Sequence, residues 1–136
     1  MATVLIVEDE SEIRSLLEAF IEEQGHKTLS AATADEALTI LTGHEAVDAL
    51  FVDIVLKGEM QADFEFTKRA VQLKPGLKVL YSTGLIVTDE MMALVAPGSI
   101  ILEKPYSEDQ LLTSLLVHLQ MTPRPVHGTV DASPSP

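Results

Sequence analysis

The chain has 136 residues, 46% of them hydrophobic, and no cysteine, which fits one domain around a single core and excludes disulfides and thiolate metal sites. A formal charge of −12 argues against direct binding to a nucleic-acid backbone, which needs clustered Lys and Arg. The longest apolar runs are about six residues, far short of the ~20 that cross a bilayer. With no basic leader-like segment at the start, a cytoplasmic location is expected.

Thr3–Val7 predicts a buried strand that ends at Glu8 and Asp9. Ile13, Leu16, Leu17, Phe20 and Ile21 then recur at helical spacing, with Gly25 as a C-terminal cap. Lys27–Ala31, carrying Lys27, Thr28 and Ser30, predicts an edge strand. Thr33 and Glu36 read as a capping box for a second helix with Ala34, Ala37, Leu38 and Leu41 on its apolar face, ended by Gly43. Asp48–Val52 is the third strand, followed by Asp53. A third helix carries Phe64, Ala70, Val71 and Leu73 and stops at Pro75-Gly76. Leu77–Tyr81 leads to Thr83-Gly84, and a short fourth helix over Thr88–Val95 ends before Pro97-Gly98. Ser99–Leu102 leads to Lys104-Pro105, and Ser107 with Gln110 caps a fifth helix whose core face is Leu111, Leu112, Leu115, Leu116 and Leu119.

Regular βα alternation predicts an α/β fold, a doubly wound parallel sheet with helices on both faces and right-handed crossovers. The domain is expected over residues 1–121. Residues 122–136, rich in Pro and Ser and without a periodic apolar face, are expected to be a disordered tail.

Sites in open α/β sheets are built at the carboxyl ends of the strands. Here those ends carry Glu8, Asp9, Asp53, Thr83 and Lys104. Three carboxylates placed together repel unless a positive charge sits among them, and a hard divalent cation such as Mg²⁺ suits oxygen ligands. Acidic residues also favour the first turn of a helix, so Glu8 and Glu10 taken singly fit either role. Asp53 is different: a carboxylate ending a buried strand needs a partner, and Lys104 can supply it. Thr83-Gly84 places a hydroxyl beside backbone that a phosphoryl oxygen can approach. Pro105 is a candidate for a cis peptide bond, since X-Pro bonds have only a small trans preference. The scattered His26, His44, His118 and His127 lack metal spacing and read as surface residues, while Met91-Met92 reads as core packing or as an adaptable binding face.

In order and spacing, Glu8-Asp9, Asp53, Thr83 and Lys104-Pro105 resemble the receiver domain of two-component response regulators. The resemblance covers about residues 2–120 and implies the flavodoxin-like (βα)₅ fold with strand order 2-1-3-4-5, the order the fold's own rules associate with this family. It implies that Asp53 accepts a phosphoryl group from a histidine kinase or phosphotransfer protein. Mg²⁺ or Mn²⁺ would be held by Asp9, Asp53 and the backbone carbonyl of Val55, with Glu8 acting through a bound water. Lys104 and Thr83 would contact the phosphoryl oxygens. Such a chain is not an enzyme in the usual sense, although it assists its own Mg²⁺-dependent phosphorylation and dephosphorylation. The stand-alone type would signal by protein–protein contact or phosphorelay, through the face of helix 4, strand 5 and helix 5, with weak homodimerisation open and no direct nucleic-acid or membrane partner.

The sequence also departs from the family. The aromatic switch position holds Ile101, and Tyr106 stands where Phe is common. Leu56 is followed by Lys57-Gly58-Glu59 instead of Pro, and Val55 and Leu85 stand where a polar side chain would orient a hydrolytic water. An adaptor that does not use phosphorylation is the alternative within the fold. An FMN-binding flavodoxin is rejected because the loop Glu8-Asp9-Glu10-Ser11-Glu12 would repel a phosphate. An aspartyl-phosphate hydrolase would carry a second acid where Val55 stands.

Overall fold

Strand and helix alternate along the described part of the computed structural model, residues 2–43, 45–54, 60–84, 87–95 and 98–118. The elements are β1 (Thr3–Val7), α1 (Ser11–Glu23), β2 (Lys27–Ala31), α2 (Ala34–Leu41), β3 (Ala49–Ile54), α3 (Met60–Leu73), β4 (Lys78–Thr83), α4 (Asp89–Leu94), β5 (Ile100–Glu103) and α5 (Glu108–Thr113). All strands pair in parallel, in the order β2-β1-β3-β4-β5. The order is the expected one, with β2 at an edge.

Alternation along the strands splits the core into two layers. Leu5, Val7, Leu50, Val52, Ile54, Val79 and Tyr81 meet Ala37 and Leu41 of α2, Phe64 and Ala70 of α3, and Met91 of α4. On the other face Val4, Ile6, Phe51 and Leu80 meet Leu17 and Ile21 of α1 and Leu111 of α5, joined by Leu115. β1, β3 and β4 are covered on both sides, which is why their sequences are continuous apolar runs. Each large side chain removed from water here contributes about 1.5–3 kcal/mol before the entropy of ordering is counted.

Two strands run further than the apolar patterns suggest. β3 extends through Asp53 to Ile54, and β4 through Ser82 to Thr83, because backbone pairing continues as Asp53↔Ser82 and Ile54↔Thr83. Polar site residues interrupt the apolar run without interrupting the ladder.

Helix ends follow their local chemistry. Gly25 adopts φ 91°, a left-handed conformation open to glycine, and turns the chain from α1 toward β2. Thr33 caps α2 by accepting from the Glu36 N–H, but the Glu36 carboxylate accepts from Ala32 N–H, one residue before the position a strict capping box would use. Ser107 and Gln110 form the full reciprocal box on α5. That helix then widens into a π-helical turn over Ser114–His118, where a continued α-helix was expected.

His26 corrects the expectation of a surface histidine. It is 5% exposed, and its Nδ1 accepts the Ala2 N–H at 3.0 Å, which ties the start of β1 to the α1–β2 connection. Met91 is buried in the core while Met92 is exposed, so the pair divides between the two readings. His44, Val55, Leu56, Lys57-Gly58-Glu59, Leu85, Pro97, Leu119, His127 and the segment 122–136 lie outside the described residues.

Candidate functional site

β1 delivers Glu8 and Asp9 at its carboxyl end, and its neighbour β3 delivers Asp53. One carboxylate oxygen from each of the three lies within 4.8 Å of the others. Glu8 is buried, Asp53 partly so, and Asp9 is exposed at the rim. From just beyond the end of β5 the Lys104 Nζ reaches the Asp53 Oδ1 at 2.7 Å, meeting an oxygen otherwise buried without a hydrogen bond. The Lys104–Pro105 bond is cis, and the Lys104 N–H donates to the Thr83 carbonyl at 2.7 Å. That bond joins the ends of β4 and β5. Thr83 is fully buried, and the position where a Cβ on Gly84 would stand has no atom within 4 Å.

The charges respond to this packing. Burial pushes the Glu8 carboxyl up to about 7, with the neighbouring Asp53 charge adding to it, although the Glu10 N–H donated to Glu8 Oε2 at 3.1 Å pulls the other way. Burial alone would lower the Lys104 ammonium; the hydrogen bond and charge of Asp53 outweigh it and leave Lys104 above its ordinary value. Burial also raises the Tyr106 phenol, against the favourable influence of the Ser82 hydroxyl and Lys104.

Three carboxylates converge on one point, and among the described residues a single lysine is paired with them and compensates only part of their charge. All the donors are hard oxygens, and exposed Asp9 leaves one side open to water. The residues fit a hard divalent cation such as Mg²⁺. A cavity of about 280 Å³ adjoins them, lined among others by Glu8, Asp9, Asp53, Thr33 and Asp63.

Glu8, Asp9, Asp53 and Lys104 are thus drawn together, with Thr83 on the strand beside Asp53. Ile101 lies one strand further, opposite Tyr81. Val55 falls outside the described residues. Three contributors escaped the sequence reading. Ser82 is buried in register with Asp53 and its Oγ has no hydrogen-bond partner of normal geometry among the described residues, although it lies near enough to act on Tyr106. A serine inside an apolar run was a signal for it. Asp63 of α3 lines the cavity, and Arg14 of α1 donates to the Glu8 carbonyl. For those two no signal stood out, because charged residues on a helix normally face solvent.

Residues 4–116 match the family described as the response regulator receiver domain. The chain belongs to that family. Its relatives include a putative NtrX-like response regulator of Rickettsia conorii, 32% identical over 88% of this chain and 25% of that protein. The chain spans half or less of the curated relatives it matches. A response regulator receiver protein of Sinorhizobium medicae has the same fold, with a TM-score of 0.75 and 24% identity over 88% of this chain and 94% of that one. The response regulator TrrA of Thermotoga maritima, solved in complex with Mg²⁺ and BeF, gives a TM-score of 0.70 at 23% identity, covering 87% and 99% of the two chains. The receiver assignment makes this a module of two-component signalling. Among the described residues no helix is long and apolar enough to cross a membrane.

Proposed function

We propose that Asp53 is the phosphoacceptor of this receiver, taking a phosphoryl group from a phosphohistidine of a histidine kinase or phosphotransfer protein. The observation that carries this reading is the Asp53–Lys104 ion pair beside the Glu8–Asp9–Asp53 cluster. Mg²⁺ or Mn²⁺ would be held by Asp9, Asp53 and the Val55 carbonyl, with Glu8 acting through water. When bound, the cation supplies neutralisation of charge on the phosphoryl oxygens, the main requirement of phosphoryl transfer. The likeness to a fold relative solved with Mg²⁺ and BeF supports that choice.

In this reading a carboxylate oxygen of Asp53 forms the new P–O bond as the donor's P–N bond breaks and its imidazole leaves. The Lys104 ammonium stays at the Asp53 end and pairs with a phosphoryl oxygen. Thr83, fully buried on the strand beside the one that carries Asp53, would hydrogen-bond a phosphoryl oxygen. The face of α4, β5 and α5, with exposed Met92, would carry the signal to a protein partner or a second copy. A cysteine-free chain suits the cytoplasm where such relays operate.

Incubation with acetyl phosphate and Mg²⁺ tests the assignment. Intact mass should show a single phosphoryl adduct in the wild type and none in Asp53→Asn. An adduct that persists in that variant would move the acceptor elsewhere.

A further inference from the structure

The β1–α1 turn holds two adjacent acids whose carboxylates face the same point, and something must fix that turn. Glu10, the N-cap residue of α1, makes no side-chain cap. The Glu8 carboxylate fills part of that role by accepting the Glu10 N–H at 3.1 Å. The carbonyl of Glu8 is then the acceptor that leads directly into Asp9. Arg14, one turn into α1 and half-buried, places its Nη1 2.6 Å from that carbonyl oxygen. A guanidinium–carbonyl bond this short is charge-assisted and directional.

We infer that Arg14 is a positioning residue of the cation site: its guanidinium clamps the Glu8 carbonyl and so sets the Glu8–Asp9 peptide, and through it the Asp9 carboxylate. The inference rests on the reading of Glu8, Asp9 and Asp53 as cation ligands. Asp9 is exposed and belongs to no regular element, so its placement depends on the turn that carries it. The Glu8 side chain is already held by Glu10, so the clamp bears mainly on Asp9 and on the path between the two acids.

The sign of the effect separates this role from simple electrostatics. Arg14 adds positive charge beside an acidic site, so if it acted only through its field, removing it would strengthen cation binding. A positioning role predicts the reverse. A residue of the solvated helix face with neither role would leave affinity unchanged.

The probe is Mg²⁺ alone, titrated calorimetrically into the full chain, with Mn²⁺ followed by its electron spin resonance as a second readout of the ligand sphere. Arg14→Met should weaken Mg²⁺ roughly three- to tenfold, the range expected for losing one charge-assisted bond at a half-exposed site, and should broaden the bound-Mn²⁺ spectrum. Arg14→Lys, which keeps a long cationic donor, should recover most of that loss. Affinity equal to or tighter than wild type in Arg14→Met overturns the inference. Should that variant fail to fold, Arg14→Gln decides by the same criterion. A wild-type chain that binds no Mg²⁺ at millimolar concentration overturns the cation reading itself, and this inference with it.

Discussion

Tyr81 of β4 lies directly opposite Ile101 of β5 in the parallel ladder, and the two pack into the same layer of the core. An aromatic ring thus lies one strand away from Ile101. It is fully buried, with its ring centroid 5.5 Å from that of Phe64 and its hydroxyl 2.7 Å from the Thr67 hydroxyl. Thr67 spends its own proton on the Phe64 carbonyl at 3.0 Å, so Tyr81 is the donor in the pair. The end of β4 that carries Thr83 is thereby joined to α3.

Tyr81→Phe keeps the ring and removes the hydroxyl that meets Thr67. The buried Thr67 oxygen loses a partner, and stability to urea should fall by about 1–2 kcal/mol. Loading of Asp53 by acetyl phosphate should be unchanged, since neither Tyr81 nor Thr67 belongs to the carboxylate cluster or lines the cavity beside it. Wild-type stability in this variant would mean the bond is not formed in solution.

Lys104→Met should change two quantities in opposite directions. The lysine is 33% exposed and its partner Asp53 only 9%, so removing the ammonium leaves a nearly buried carboxylate among two others. Without metal the variant should lose about 1–3 kcal/mol of stability. Mg²⁺ should bind roughly three- to tenfold more tightly, because the cation no longer competes with a resident positive charge. Weaker Mg²⁺ binding in this variant would show that Lys104 organises the ligands instead of competing for them.

The parts of this molecule that could be read from sequence are those where a physical pattern is broken at a place that matters. Asp53 and Lys104 end buried apolar runs, and a charge there demands an explanation; the ion pair supplies it. The order of the strands followed once the resemblance was recognised. Arg14 was invisible because an arginine on a helix carries no mark that its head group turns back to a backbone carbonyl. The burial of His26 is hidden for a similar reason: its Nδ1 is satisfied by the Ala2 N–H, a partner distant in sequence. Side-chain polarity does not mark the ends of β3 and β4, because backbone pairing continues through Asp53↔Ser82 and Ile54↔Thr83.

We propose, from the resemblance to the receiver family, that two positions outside the described residues set the phosphoryl lifetime: Val55 and Leu85 would occupy the places where a polar side chain holds an in-line water. If Asp53 is the acceptor, its phosphoryl group should persist for many minutes. Val55→Asn with Leu85→Glu should shorten that lifetime by about tenfold or more, the lower range for a positioned acid–base group. Release of inorganic phosphate from loaded protein measures it, and an unaltered rate in the double variant would remove this explanation.

Glu8 makes metal-free stability depend on pH in an unusual direction. Its carboxyl is raised from 4.5 to about 7, first by burial and then by the charge of Asp53. The folded chain therefore keeps a proton that the unfolded chain releases. By linkage this contribution to stability is fully present below the unfolded value of 4.5, declines as pH rises, and is lost above about 7. Paired carboxylates usually behave the other way, so the signal must be isolated from theirs. Glu8→Gln does this: its amide oxygen can still accept the Glu10 N–H, but it carries no charge to bury. In chelator-treated protein the stability of Glu8→Gln relative to wild type should grow between about pH 5 and about pH 8, by at most about 3 kcal/mol. Mg²⁺ should compress the difference, because a cation in the cluster stabilises the ionised wild-type carboxylate and gains less from the amide. A difference that stays flat across this range without metal would show that Glu8 is already ionised at low pH in the folded chain, and that burial does not govern it.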